Sequence, residues 1–113
     1  MLNDGEANAL AGPALGRVPH VVTTLGGAGA RYRGPGGEAF DVPAPQVDAV
    51  DTTGAGDAFT GAFAVAWAEG KTPREAVRWA CAAGALATTV RGASTSAPAR
   101  AAIEAMAIRT YGA

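Results

Sequence analysis

The stretch Val50-Asp51-Thr52-Thr53-Gly54-Ala55-Gly56-Asp57-Ala58-Phe59 decides both the fold and the candidate site. Gly54, Ala55 and Gly56 carry almost no side chain, so a ligand can approach their backbone N–H groups. The apolar pattern of residues 55–69, which ends at Gly70, predicts a helix directly after them. Free N–H groups and the positive end of a helix dipole together attract anions. The stretch therefore predicts a site for a phosphate or for charge developing on a transferred group.

Asp57 falls in the first turn of this predicted helix. A carboxylate beside an anion site is placed to take a proton from a hydroxyl that attacks a phosphoryl group. Asp also interacts favourably with the helix dipole. A tight turn followed by a dipole-stabilising Asp is therefore the alternative interpretation of Gly-x-Gly-Asp taken alone.

The residues before this stretch predict one short helix followed by strands. Residues 1–11 predict a short helix capped by Asn3 or Asp4. The β-branched run His20 to Leu25 predicts a buried strand, and Gly26 to Gly29 predicts a turn after it. Ala30 to Arg33 and Glu38 to Val42, separated by glycines, predict a hairpin.

Two further helices are predicted downstream. Thr72 is a cap residue and Pro73 suits the first helical position, so a helix begins there and ends at Gly92. A last helix begins at Ser96-Ala97-Pro98 and continues through Ile103 and Met106. Strands followed by helices indicate part of an α/β layered domain.

Length and composition exclude several classes of protein. The chain has 113 residues, enough for one domain, and a net charge of −1 with its basic residues scattered, so we expect no nucleic-acid partner. No apolar run reaches the length of a membrane span, and residues 1–6 lack the features of a signal peptide. The single Cys cannot form an internal disulfide, which favours a reducing compartment, and we expect a cytoplasmic protein.

The whole string from Asp51 to Phe59 resembles the second signature of the ribokinase, or PfkB, family of carbohydrate kinases. The resemblance implies a ribokinase-like layered α/β fold and ATP-dependent phosphorylation of a sugar hydroxyl. It implies that Asp57 is the catalytic base, in contact with the substrate hydroxyl. It also implies that Gly54, Ala55 and Gly56 form the anion hole.

The same resemblance implies an ATP site with Mg²⁺. Asn3-Asp4-Gly5-Glu6 is similar to an Asn-x-x-Glu motif in which Asn3 approaches the nucleotide phosphates and Glu6 organises Mg²⁺ through water. A helix cap with an acidic first turn is the alternative for this short motif. The turn expected to lie along ATP consists of Thr24, Leu25, Gly26, Gly27, Ala28 and Gly29, and the ATP contacts are completed by Gly56, Asp57 and Cys81.

Two other nucleotide-binding motifs do not fit. A dinucleotide fingerprint counted from Gly27 and Gly29 would need a third Gly at the position of Tyr32. A P-loop ending in Lys71-Thr72 would need its first Gly at the position of Val65.

A potassium site is implied by the segment Ala87 to Pro98, which is similar to the ending of ribokinases. The implied ligands are Asp51 and Thr53 on one side and Ala87, Val90, Gly92 and Ser96 on the other. Backbone carbonyls and other hard oxygen ligands suit K⁺. A helix end at Gly92 and a helix cap at Ser96 explain the same residues without a cation.

Cys81 departs from the family pattern, because relatives often have Asn or His facing the adenine at this position. No His lies near it in sequence to activate the thiol, so we expect a small buried side chain rather than a nucleophile.

The resemblance covers residues 1–113 as a partial domain, the nucleotide-binding and catalytic end, without the sugar-binding half and the lid. We therefore expect the chain alone to bind sugar poorly and to be weakly active or inactive. The ending around Gly92 to Pro98 favours D-ribose, converted to ribose 5-phosphate, as the acceptor. Fructose, 2-keto-3-deoxygluconate or a nucleoside are alternatives, as is a non-catalytic fragment. A homodimer of the intact enzyme is a further possibility.

Overall fold

The computed structural model describes residues 2–3, 8–9, 20–34, 36–89 and 99–112. From residue 20 onward, strands precede helices along the chain, as the sequence predicts. Contacts divide the chain into two compact units, Met1–Pro43 and Ala44–Ala113. The first contains the strands and the second contains the helices.

The first unit is a mixed β-sheet. Its strands are β1 (Leu2–Asn3), β2 (Asn8–Ala9), β3 (Val21–Thr24), β4 (Ala30–Arg33) and β5 (Ala39–Val42). Strand β1 pairs in parallel with β3, and β2 pairs antiparallel with the other half of β3. The predicted helix over residues 1–11 is therefore wrong, because both described pieces of it are strands held by partners far along the chain.

The hairpin prediction is confirmed, since β4 pairs antiparallel with both β3 and β5. One face of these three strands is buried, with Val22, Tyr32 and Val42 almost inaccessible to solvent. The hydroxyl of Tyr32 lies 2.6 Å from Nδ1 of His20, which gives this buried phenol a polar partner. On the exposed face, Arg31 pairs with Asp41 directly across the two strands, at 2.8 Å.

The second unit contains three helices: α1 (Ala55–Ala68), α2 (Pro73–Ala87) and α3 (Arg100–Tyr111). Gly84 of α2 faces the first turns of α1, where an added Cβ would lie 3.4 Å from the carbonyl oxygen of Ala55 and 3.6 Å from Cβ of Phe59. A small residue at this point lets the two helices approach closely. The buried side chains of α2 are mostly Ala.

The start of α2 follows the sequence prediction. The hydroxyl of Thr72 accepts a hydrogen bond from the N–H of Glu75, and the Glu75 carboxylate accepts one from the N–H of Thr72. This reciprocal pair satisfies two donors that the first helical turn leaves unpaired, and Pro73 needs no donor. The helix ends at Ala87 and not at Gly92, so the predicted end is wrong by five residues.

Helix α3 is attached to α2 and to the end of α1 by a cluster of polar and aromatic contacts. Arg100 makes two hydrogen bonds to the carboxylate of Glu69, at 2.8 and 2.6 Å. Its guanidinium also lies 5.3 Å from the ring centre of Trp79, and Lys71 lies 5.2 Å from the same ring. Such cation–π contacts add to the apolar burial of Trp79.

None of the helices in the described part of the chain is long and apolar enough to cross a membrane.

Candidate functional site

The start of α1 depends on a glycine in the left-handed region. Gly54, which caps the helix, has φ 82° and ψ −3°. The carbonyl oxygen of Thr52 accepts a hydrogen bond of 3.2 Å from the N–H of Ala55. A residue with a Cβ would pay roughly 1–2 kcal/mol for this backbone conformation. Glycine at this position therefore allows the chain to bend sharply just before α1 begins.

Two N–H groups of that first turn are open. The first intrahelical bond runs from the N–H of Ala58 to the carbonyl of Gly54, at 2.9 Å. Within the described residues, no acceptor bonds the N–H groups of Gly56 and Asp57, as expected at a helix start. Open N–H groups at a helix start, together with the positive end of the helix dipole, favour the binding of an anion. Of the three predicted anion-hole donors, Ala55 already donates to Thr52, so the anion hole of Gly54, Ala55 and Gly56 stays a prediction.

Asp57 presents its side chain to solvent in this first turn. Its carboxylate makes no hydrogen bond or ion pair with the part of the chain that the structure describes. It is therefore available to a substrate hydroxyl, and the structure places it in the same helical turn as the open N–H groups.

Asp51 joins this turn to the carboxyl end of α2. Its Oδ1 accepts a hydrogen bond of 2.9 Å from the N–H of Thr53. The N–H groups of Val50 and Asp51 both donate to the carbonyl of Thr88, at 2.6 and 2.9 Å. Because Thr88 follows the last residue of α2, these bonds bring Asp51, Thr53 and the end of α2 to one place.

The carbonyl of Ala87 fits a cation site at that place. The carbonyls of its neighbours Ala85, Leu86 and Thr88 all accept hydrogen bonds. Among the bonds of the described residues, none ends on the carbonyl of Ala87, although the residue is fully buried. A carbonyl without a partner among the described residues, at the place where Asp51 is held, is chemically suited to K⁺.

The turn predicted to lie along ATP belongs to the first unit. Gly26–Ala28 form one turn of 3₁₀ helix, closed by a 2.8 Å hydrogen bond from the N–H of Leu25 to the carbonyl of Gly29. All three residues of the 3₁₀ turn are exposed, while Thr24 before them is buried. The turn thus presents exposed backbone rather than side chains.

Cys81 is buried in α2, as the sequence predicts. Burial raises the pKa of its thiol to about 12, and a hydrogen bond with Tyr111 opposes part of that rise. Burial also raises the pKa of Tyr111, and the neighbouring thiol adds to the effect. Arg78 lies over the Tyr111 ring, 5.4 Å from its centre.

Tyr111 is the residue here that sequence reasoning missed. It lies thirty positions after Cys81, near the end of the chain, and no local pattern links the two. The contact of Cys81 with a nucleotide stays a prediction.

Several predicted ligands lie outside the described residues, namely Glu6, Val90, Gly92 and Ser96. Of Asn3, the structure describes only its place in β1.

Comparison with known proteins identifies the family to which the chain is similar. The family model described as "pfkB family carbohydrate kinase" matches residues 3–100. A ribokinase of Arabidopsis thaliana is 58% identical over 59 residues, which are 52% of this chain and 15% of that protein.

Two solved structures are similar over most of the chain. A ribokinase of Arabidopsis thaliana complexed with ribose and ATP has a TM-score of 0.73 and 40% identity, covering 78% of this chain and 28% of that one. A nucleoside kinase of Burkholderia thailandensis in complex with inosine has a TM-score of 0.74 and 34% identity, covering 81% of this chain and 30% of that one. The chain therefore spans less than a third of the length of each of these proteins.

Proposed function

Because the chain belongs to the pfkB family of carbohydrate kinases, we propose that it forms the catalytic end of an enzyme that transfers the γ-phosphoryl group of ATP to a sugar hydroxyl. The observation that carries this proposal is the start of α1. There the open N–H groups of Gly56 and Asp57 and the exposed Asp57 carboxylate share one helical turn. The expected ribokinase-like α/β fold is confirmed by the solved relatives.

In the proposed reaction, the Asp57 carboxylate accepts the proton of the sugar hydroxyl as its oxygen attacks the γ-phosphorus. The bond from that phosphorus to the bridging oxygen breaks, and ADP leaves with the electron pair. Negative charge gathers on the transferred group in the transition state. The proposed anion hole consists of the N–H groups of Gly54, Ala55 and Gly56. Of these, the N–H of Ala55 donates to the carbonyl of Thr52 at 3.2 Å and would have to leave it to stabilise that charge.

Two cations belong to the proposal. Mg²⁺ bound with ATP neutralises the phosphate oxygens, and Glu6 is the proposed residue that orders it through water. For K⁺, the described residues fit: Asp51 and Thr53 lie beside the end of α2, where the carbonyl of Ala87 has no partner among the described residues. Val90, Gly92 and Ser96 complete the proposed set. The ion would order the loop that precedes the anion hole.

D-ribose is the proposed acceptor. Its support is the solved relative that holds ribose and ATP, together with the ribokinase-like ending of the segment that follows α2. A nucleoside is the second candidate, because the similar Burkholderia thailandensis enzyme is solved with inosine. A panel of ribose, fructose, 2-keto-3-deoxygluconate and inosine, tested with ATP on a complete enzyme that carries this segment, separates the acceptors.

The decisive experiment is Asp57→Asn in such a complete enzyme. We expect turnover to fall by about 10²- to 10⁴-fold, because the amide cannot accept the proton, while ATP affinity measured by calorimetry is kept. Glu104→Gln, which removes an exposed carboxylate from α3, is the charge-matched control and should leave turnover unchanged. Near-normal turnover of Asp57→Asn would refute the assignment of the base.

Cytoplasmic location and a homodimer of the intact enzyme are further parts of the proposal. The single, buried Cys81 is compatible with a reducing compartment.

A further inference from the structure

Helix α1 has two polar side chains near its start, and they share one face. Apart from Trp67, its hydrogen-bonding side chains are Asp57 and Thr60, and both of these are exposed. Residues three positions apart in a helix are neighbours on its surface. The proposed base and Thr60 therefore lie side by side on α1.

The hydroxyl of Thr60 bonds back to the turn that holds the open N–H groups. Its Oγ1 donates a hydrogen bond of 2.9 Å to the carbonyl oxygen of Gly56. In an α-helix that carbonyl also accepts the N–H four residues further on, so its oxygen has two donors. A Ser or Thr hydroxyl that bonds back in this way often bends the helix locally. Thr60 thus acts on the geometry of the first helical turn.

The carbonyl of Gly56 and the N–H of Asp57 belong to the same peptide group. That N–H is one of the two open donors at the start of α1. A peptide group whose oxygen accepts hydrogen bonds is polarised, and its N–H becomes a stronger donor. The bond from Thr60 therefore orients an open donor and strengthens it, beside the proposed base.

We propose that Thr60 is a positioning residue for phosphoryl transfer, which acts through the peptide group between Gly56 and Asp57 and not by contact with the substrate. The proposal rests on the proposed function, because the open N–H groups affect turnover only if a phosphoryl group is transferred beside Asp57. Negative charge gathers on that group in the transition state. The hydroxyl of Thr60 therefore affects kcat more than the KM for ATP.

Thr60→Val, in a complete enzyme that carries this segment, removes the hydroxyl and keeps the branched shape of the side chain. We expect kcat to fall by about 3- to 10-fold, with the KM for ATP nearly unchanged, because the N–H of Asp57 is kept and only weakened. Thr60→Ser keeps the hydroxyl and should restore kcat to within about twofold of the unsubstituted enzyme. Thr110→Val, at an exposed position of α3, is the matched control and should leave kcat unchanged.

A binding measurement separates this role from a merely structural one. Aluminium fluoride, added with Mg²⁺ and ADP, mimics a phosphoryl group during transfer, so calorimetry of ADP binding with and without it reports on the open donors. Thr60→Val should lose about 3- to 10-fold of the affinity that aluminium fluoride adds, and should keep the affinity for ADP alone. Thr60→Ala should lose the same amount although Ala favours the helix, which excludes a folding defect as the cause.

The proposal is overturned if Thr60→Val keeps full kcat, if Thr60→Ser and Thr60→Val lose kcat equally, or if the loss falls on the affinity for ADP alone. Failure of the kinase proposal has a different result, because Asp57→Asn would then keep near-normal turnover or no acceptor would be phosphorylated. A fully active Thr60→Val beside an inactive Asp57→Asn would overturn the role of Thr60 alone.

Discussion

Gly54 and Asp57 show how much one short stretch determines at the scale of single residues. The sequence predicts a turn, a helix start and an acidic first turn, and the structure has all three. The left-handed φ of Gly54 follows from that local pattern, because only glycine adopts it without cost. The proton-accepting role of Asp57 stays a prediction until turnover is measured.

Cys81 gives a prediction about pH. An ordinary thiol has a pKa near 9.0, and burial in α2 raises it to about 12. Between these values the unfolded state binds fewer protons than the folded state, so the free energy of unfolding falls as pH rises. From about pH 8 to about pH 9.5 we expect Cys81 to account for a loss of about 0.8 kcal/mol.

Urea unfolding followed by tryptophan fluorescence measures this loss. Cys81→Ala removes the thiol, so its part of the loss should disappear. The free energy of unfolding of this variant should therefore change less with pH. Both pH values lie below 10.0, the ordinary pKa of a tyrosine hydroxyl. Ionisation of Tyr111 in the unfolded state therefore adds little to the loss of stability. An unchanged dependence in the variant would contradict the assignment to Cys81.

At the scale of elements, the beginning of α2 was predictable from local sequence and its end was not. Thr72, Pro73 and Glu75 form a local capping pattern, and α2 begins where that pattern places it. The same helix ends at Ala87, where Thr88 instead accepts hydrogen bonds from Val50 and Asp51. Those partners lie far back in the sequence, so the pattern around Gly92 could not reveal this end.

The cap of α2 gives a prediction about stability. Thr72→Ala removes the acceptor for the N–H of Glu75 and should lower the free energy of unfolding by about 1 kcal/mol. The hydrogen bonds from Thr72 also hold the pKa of the Glu75 carboxyl below its usual value. The stabilisation by the ionised Glu75 is therefore fully present above the usual pKa and is lost as pH falls through the lowered pKa. Denaturant unfolding near neutral pH tests the first effect.

Thr110→Ala is the control, because Thr110 is exposed on α3. It should be neutral or slightly stabilising, since Ala has the higher helix propensity. Equal effects of the two substitutions would mean that the cap contributes nothing beyond propensity.

At the scale of the whole molecule, the chain is a small part of the enzymes that it resembles. It covers 28% of the solved ribokinase that holds ribose and ATP. We therefore expect the purified chain to show little or no ATP-dependent phosphorylation of ribose. A coupled ADP-release assay with a complete ribokinase as positive control checks this, and robust turnover by the chain alone would contradict it.

The sequence by itself determined the order of strands and helices, the hairpin and the glycine turn before α1, because these depend on periodicity, capping and turn chemistry among neighbours. It failed for residues 1–11, where the local cap pattern predicts a helix but β1 and β2 pair with β3. Tertiary structure alone decided the pairing of Cys81 with Tyr111 and of Glu69 with Arg100. It also decided that the carbonyl of Thr88, just after α2, accepts hydrogen bonds from Val50 and Asp51. These depend on which groups meet in space, and contacts between distant residues leave no local signal in one sequence.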